Sequence, residues 1–290
     1  MIPGQFDYVR PGSLDEALRI LKDREGEAKI LSGGYSLLPL LKLRLAQPAL
    51  LVDIQDLNGL DGIIRTDDDW RIGARATHRS ILEHDGLGTE HPVVRDAAGG
   101  IGDQQVRNWG TIGGSIAHAD PSSDWPAVLL ALRGTVVVRS LEGERALPAR
   151  GFFVDTFQTG IDASEVLTEV RVPHAAPGTA SAYVKLERRA GDFATVGVAA
   201  VIQLGADGRI ASAGIALTAV NDAPFAATDA EAAIVGQAPG DDAWVAAAAA
   251  AAGQARPVGD SHGPADYKAA MVREITVRAL RKAASRALGA

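Results

Sequence analysis

The sequence predicts an α+β protein built as two domains, and three observations carry that expectation. Helix and strand signals alternate over the first 176 residues. A proline and glycine cluster, Val172-Pro173-His174-Ala175-Ala176-Pro177-Gly178, then interrupts the pattern. Beyond it two strand-like runs, residues 195–204 and 210–220, flank Gly205-Ala206-Asp207-Gly208, a hairpin signal, and helical sequence follows to the end. The expected domains are residues 1–176 and 177–290.

The elements follow in order. Ser13, with Asp15 and Glu16 in a first turn and Ala17, Leu18 and Leu21 at helical spacing, reads as a capped amphipathic helix ending near Gly26. Residues 28–31 read as a strand that runs into Ser32-Gly33-Gly34-Tyr35-Ser36, after which Leu37, Leu38, Leu40, Leu41 and Leu45 fit one buried helical face. Strands are expected at 50–54 and 70–72 and helices near 79–83 and 92–98. A second glycine pair stands in Trp109-Gly110-Thr111-Ile112-Gly113-Gly114-Ser115-Ile116-Ala117. Asp120-Pro121-Ser122-Ser123-Asp124-Trp125-Pro126 is dense in helix-capping residues and opens an apolar helix over 127–132, which Gly134 ends. Thr135, Val136, Val137 and Val138 are β-branched strand formers. Residues 241–253 form an alanine-rich helix suited to close packing, and 265–288 an amphipathic one with Tyr267, Met271, Ile275 and Leu280 as expected core contacts.

Composition limits the chemistry. Of 290 residues 47% are hydrophobic and 22% charged, ordinary for a folded chain. With 29 Lys+Arg against 36 Asp+Glu the net charge is −7, so no basic excess favours nucleic acid. Cysteine is absent, which excludes disulfides, thiolate metal sites and cysteine-ligated iron–sulfur clusters on this chain. Redox chemistry would need a cofactor not held by sulfur. The opening residues lack a secretory pattern, and the most apolar stretch, 243–252, falls short of the roughly 20 residues of a membrane span. The expected location is the cytoplasm, with no transmembrane segment. No H-E-x-x-H is present among six histidines, neither Ser36 nor Ser115 lies in G-x-S-x-G, and neither G-x-G-x-x-G before a helix nor a P-loop occurs. A metal site, a serine hydrolase and the usual nucleotide folds are all disfavoured.

The two glycine pairs are each expected between a strand and a helix start. Adjacent glycines there permit φ > 0 and remove Cβ atoms, and exposed N–H groups beside a helix N-terminus suit phosphate oxygens. Either pair alone reads more simply as a tight turn. Together they suggest a pyrophosphate gripped from both sides, hence a dinucleotide.

Ser32-Gly33-Gly34-Tyr35-Ser36-Leu37-Leu38-Pro39 with Thr111-Ile112-Gly113-Gly114-Ser115 resembles the paired FAD-binding motifs of the medium, flavin-carrying subunit of carbon monoxide dehydrogenase and other molybdenum hydroxylases of the xanthine dehydrogenase group. The resemblance runs from Ile2-Pro3-Gly4 to Tyr267. It implies a PCMH-type, vanillyl-alcohol-oxidase-like FAD-binding domain of two α+β subdomains, about 1–56 and 57–176, and a C-terminal domain of a three-stranded sheet with helices. It also implies that Leu31, Ser32, Gly33, Gly34, Tyr35, Ser36, Leu37 and Leu38, with Thr111, Ile112, Gly113, Gly114 and Ser115, wrap the FAD pyrophosphate. By the same resemblance Asp124, Leu167 and Lys185 contact the cofactor and Phe193 lies against the isoalloxazine; no catalytic residue or metal ligand is implied. Asp124 reads as an acceptor for ribityl or ribose hydroxyls or as a helix cap, Lys185 as a counter-charge to phosphate or a partner of Glu187, and Phe193 as a stacking ring or hydrophobic filler. Ser115 stands where the family usually has asparagine, Tyr35 where it has glutamine or histidine, and Phe193 where some relatives have tyrosine. No motif at His118 demands a covalent flavin link.

The resemblance further implies a heterohexamer, a dimer of heterotrimers. A large subunit with a molybdopterin cofactor would oxidise the substrate, a small subunit with [2Fe–2S] clusters would relay electrons, and FAD on this chain would pass them to a quinone, oxygen or NAD. A self-sufficient FAD-dependent oxidoreductase and a flavin-free scaffold subunit are the rival readings. Carbon monoxide, nicotine-like heterocycles, purines and aldehydes all remain open as substrates.

Overall fold

The structure, a computed structural model, describes residues 2–24 and 26–289. Its first layer comprises β1 (Asp7–Val9), α1 (Leu14–Asp23), β2 (Ala28–Leu31), α2 (Leu37–Leu43) and β3 (Leu50–Asp53). The three strands pair in parallel in the order β1-β3-β2, with Leu31 opposite Asp53. Helix α1 begins where its sequence dictates: the Ser13 hydroxyl accepts the Glu16 N–H at 3.2 Å, and Ala17, Leu18 and Leu21 pack with Val52 and Ile54.

Helix α2 departs from expectation. Of the leucines expected on a buried face, Leu41 is buried, whereas Leu38 is 40% and Leu45 73% exposed. The helix is only seven residues long, and Arg44 in the left-handed region (φ 58) turns the chain so that Leu45 points to solvent.

The second layer contains β4 (Ile63–Arg65), β5 (Asp69–Gly73), α3 (His78–Leu82), α4 (Asp85–Glu90), α5 (Pro92–Gly100), α6 (Gln104–Trp109), α7 (Ile112–His118), α8 (Asp124–Ala131), β6 (Thr135–Ser140), β7 (Gly143–Pro148), β8 (Phe153–Asp155), β9 (Gln158–Thr159) and β10 (Val166–Pro173). Its antiparallel sheet has the order β4-β5-β10-β6-β7, while β8 and β9 form a small separate hairpin. Every residue of α8 is buried, as its nearly all-apolar sequence requires.

The C-terminal part contains β11 (Thr179–Leu186), β12 (Val196–Leu204), β13 (Ile210–Thr218), β14 (Phe225–Ala226), α9 (Thr228–Ile234), α10 (Asp241–Gln254) and α11 (Ala265–Ala287). Three long antiparallel strands carry the two-residue β14 at one edge. Helix α10 buries Ala243, Trp244, Ala247, Ala248 and Ala251, and these mostly methyl-sized side chains let it lie close to α9 and α11. Helix α11 buries Val272, Ile275, Ala279 and Leu280; Met271 is partly buried, but Tyr267 is exposed because the buried stripe starts one residue later, at Lys268.

Strand alternation explains how the two parts join. Ala182, Val198, Ala200, Ile215 and Leu217 pack into the core with α10 and α11, while their neighbours Tyr183, Ala199 and Ala216 pack into the core that contains α5 and α8. Covering a side chain such as Ile215 or Leu217 contributes about 1.5–3 kcal/mol. The same alternation puts Lys185 on the face of Tyr183, toward α5 and α8. Polar pairs reinforce the seam: Arg150 binds Glu231 of α9, and Arg286 of α11 reaches Asp96 of α5 at 2.7 and 2.9 Å. Among the described residues no helix is long and apolar enough to cross a membrane.

Candidate functional site

The first glycine turn leaves β2 after Leu31 and enters α2. Gly34 has φ +80, and the N–H groups of Gly33, Gly34, Tyr35 and Ser36 have no acceptor among the described residues. Four adjacent unclaimed donors at a turn form a concavity for an anion. Ser36 precedes the helix without a side-chain capping bond. The turn is braced from behind: Gln55 Nε2 donates to the Ser32 carbonyl at 2.9 Å, and the Gln55 N–H is held by Asp53 Oδ1 at 2.9 Å. Asp53 is buried at the end of β3, accepts from the Tyr8 hydroxyl and lies 3.6 Å from Arg10. Neither Asp53 nor Gln55 belongs to a motif, so only the parallel register reveals their part.

The second glycine pair is built differently from expectation. Helix α6 precedes it rather than a strand, apart from a single bridge between Thr77 and Thr111. Gly113 and Gly114 lie in the first turn of α7 without positive φ, so of the four glycines Gly34 alone needs that freedom. Backbone donors here are already engaged: Ile112 N–H to Ala76 O at 3.0 Å, Gly113 N–H to Ala74 O at 2.9 Å, and Gly114 N–H to Thr111 Oγ1 at 3.1 Å. The segment therefore offers hydroxyls, not a second row of N–H groups. Gly113 is small for a packing reason, since a Cβ there would stand 2.5 Å from Ala74 Cβ.

Gly33 joins the two segments. A Cβ at this position would stand 2.1 Å from the Trp109 carbonyl oxygen, and Ser32 Oγ lies 3.1 Å from Thr111 Oγ1. Leu31 to Leu38 and Thr111 to Ser115 thus meet at one junction. Behind it, the ring of His78 packs on Gly110, and His78 Nδ1 accepts the Trp125 indole N–H at 3.0 Å. Burial, helped by the charge of Arg107, lowers the His78 pKa to about 4, so this imidazole is neutral near pH 7.

Asp124, Lys185 and Phe193 form a second centre. Asp124 does not cap α8: Ser123 occupies the N-cap, and the Asp124 carboxylate accepts from the Tyr183 hydroxyl at 2.6 Å and from Lys185 Nζ at 3.4 Å. Burial raises the Asp124 pKa to about 6 although Lys185 and the Tyr183 bond oppose it; burial, then the nearby Asp124 charge, raises Tyr183 well above the ordinary tyrosine value. Lys185 lies 3.2 Å from Glu187 and donates to the carbonyls of Gly100 at 2.7 Å and Asp192 at 2.9 Å. Its donors are taken up by these carbonyls and by Asp124, with Glu187 as a nearby charge, rather than left as a free counter-charge. Phe193 is 51% exposed, too open for filler. Leu167 is buried opposite Val138 at a bulge in β10, within the sheet core.

Helix α6 connects the centres: Arg107 holds the carbonyls of Ile101 and Gly102, each at 2.9 Å, and the Gly102 N–H donates to Gly191 O at 3.2 Å. Trp109, at the other end of α6, is 56% exposed and Tyr35 41%. In the sequence Trp109 carries no chemical signature of its own. Its only signal was position, immediately before a glycine motif.

The profile described as the FAD binding domain in molybdopterin dehydrogenase matches residues 4–175, and that described as the CO dehydrogenase flavoprotein C-terminal domain matches residues 181–283. The chain belongs to the FAD-binding medium subunits of the molybdenum hydroxylases. This medium subunit is 40% identical over 286 residues to the carbon monoxide dehydrogenase medium chain of Hydrogenophaga pseudoflava, with 99% of each chain covered. It is 38% identical to the 6-hydroxypseudooxynicotine dehydrogenase complex subunit alpha of Paenarthrobacter nicotinovorans, covering 99% of this chain and 97% of that one. A solved carbon monoxide dehydrogenase from Hydrogenophaga pseudoflava, lacking the Mo-pyranopterin moiety of its cofactor, matches with a TM-score of 0.96 at 42% identity over 99% of both chains. The two-domain FAD-binding fold and the assignment as an oxidoreductase subunit therefore hold for this medium subunit.

Proposed function

We propose that this subunit seats the FAD pyrophosphate on the first glycine turn and serves as the relay between [2Fe–2S] clusters of a small partner subunit and an external acceptor. A large molybdopterin subunit would complete each trimer, paired as a dimer of heterotrimers. The observation that carries the reading is the row of unclaimed N–H groups from Gly33 to Ser36, next to the Ser32 hydroxyl that meets Thr111. A diphosphate supplies the acceptors such a row lacks. Bound FAD exchanges electrons singly or in pairs, which suits a link between one-electron and two-electron carriers.

The chain's own residues bind and orient. Gly34 lets the backbone expose its donors, Gly33 and Thr111 set the spacing of the two segments, and Tyr35, Leu38 and Ile112 belong to the same junction. Asp124, satisfied by Tyr183 and Lys185, supports the site from behind. Near-equal identity to relatives named for carbon monoxide and for 6-hydroxypseudooxynicotine supports the reading that substrate choice lies on another chain. The test is purification of this subunit alone and in its complex. The isolated subunit should be yellow and unreactive toward the substrate of the complex until both the molybdopterin and the iron–sulfur subunits are added. A colourless preparation, or one bleached by substrate unaided, would overturn the reading.

A further inference from the structure

We propose that Lys185 is a positioning residue: it straps the loop ending in Asp192 and Phe193 to the first domain, so that Phe193 is presented to the flavin as a fixed aromatic face. The proposal rests on the FAD reading above.

An ammonium group has three N–H donors. Those of Lys185, whose side chain is only 6% exposed, are absorbed by the Gly100 carbonyl at the end of α5, the Asp192 carbonyl in the loop, and Asp124 at the start of α8. Glu187 Oε2 adds charge at 3.2 Å without hydrogen-bond alignment. Two of these partners belong to the first domain and one to the loop, so a single buried cation ties them together. No donor is left over for a phosphate.

The loop is held at further points. Gly191 has φ +82 and comes so close to the neighbouring backbone that a Cβ would stand 2.3 Å from Gly102 O. The Phe193 N–H is taken by Asp192 Oδ1 at 2.9 Å, and the Ala194 N–H reaches Ser122 O at 3.4 Å. Phe193 is therefore pinned through its backbone on both sides while half of its ring stays in solvent. An exposed phenyl forgoes the stabilisation of burial, and desolvating a lysine adds a further cost. A loop that needed only to be closed would be closed by apolar contacts. Rigid backbone beneath an open ring is the arrangement that receives a planar ligand with little ordering cost.

The test uses the assembled complex with Lys185→Met, Asp192→Ala, Phe193→Ala and the Lys185→Met/Phe193→Ala double variant. FAD content, the visible circular dichroism of the flavin, iodide quenching of its fluorescence, and kcat and KM for the acceptor are measured. Lys185→Met and Asp192→Ala should keep stoichiometric FAD but raise iodide quenching several-fold toward the Phe193→Ala value and lower kcat by roughly 10- to 100-fold, as expected for misplacement near 1 Å. The double variant should be no worse than Phe193→Ala alone, because Lys185 acts through that ring. Should Lys185→Met fail to fold, Lys185→Gln decides, since its shorter polar side chain does not reach the Asp192 carbonyl. Wild-type quenching and kcat in Lys185→Met, or in Lys185→Gln where that variant replaces it, or additive losses in the double variant, would overturn the proposal. Absence of FAD from the unaltered complex would instead overturn the cofactor reading, and this inference with it.

Discussion

Replacing Gly33 by alanine tests the junction of the two segments. The new Cβ would stand 2.1 Å from the Trp109 carbonyl oxygen and 2.9 Å from Gly110 Cα, against 3.4 Å for ordinary contact, a shortfall of 3.4 − 2.1 = 1.3 Å at the oxygen. No rotamer change relieves it, because both neighbours are backbone. Gly110 is itself held by its N–H to Val106 O at 2.7 Å and its carbonyl to the His78 N–H at 3.0 Å. The segments must separate by about an ångström, which breaks the 3.1 Å Ser32–Thr111 contact. Overpacking of this kind costs about 1–3 kcal/mol, and a shift near 1 Å at a positioned site costs on the order of 100-fold in function. FAD affinity should therefore fall between about 10- and 100-fold on titration of the flavin-depleted complex. Gly34→Ala makes the control: its left-handed backbone costs about 1–2 kcal/mol, but the closest neighbour is the movable Leu38 Cδ1 at 3.0 Å. Its effect should be smaller. Unchanged FAD affinity in Gly33→Ala would refute the close-approach argument.

Other expectations are more local. Burial holds His78 at about 4 against 6.5 in the unfolded chain, so its contribution to stability is complete above pH 6.5 and is lost as pH falls toward 4. The loss reaches about 2 kcal/mol at pH 5; denaturant titrations at pH 7 and 5 should show a smaller difference for His78→Gln, and an equal difference would contradict the assignment. Glu231→Ala leaves the two Arg150 Nη groups and the Ile215 N–H without their acceptor. It should cost about 3–5 kcal/mol, read as a Tm lower by several degrees, whereas a Tm within a degree of the parent would show the seam does not depend on this pair. Of the four tryptophans, Trp70, Trp125 and Trp244 are buried and Trp109 is exposed. FAD binding should quench the solvent-accessible tryptophan emission, and Trp109→Phe should abolish that part; quenching that survives would place the flavin away from α6.

What could be read from the chain was mostly local. The α1 cap at Ser13 involves residues three apart, and the β12–β13 hairpin needs only its turn and flanking strands. The exposed face of α2 was not legible, because periodicity shows which leucines share a face but not whether anything covers it. Nor could the glycines be sorted: all four are small, yet Gly34 serves conformation while Gly33 and Gly113 serve backbone contacts with residues distant in sequence. Lys185 is the clearest case. Its bond to Gly100 spans 85 residues and depends on the strand alternation that turns Tyr183 and Lys185 toward α5 and α8. No local signal distinguishes that lysine from one facing a phosphate.

Equilibrium binding of FAD and FMN to the flavin-depleted complex tests the central claim most directly. If the N–H groups of Gly33 to Ser36 hold a pyrophosphate, each medium subunit takes up one FAD, and FMN, with a single phosphate, binds at least roughly 100-fold more weakly. Equal affinity for the two flavins, or uptake of neither, would contradict the account.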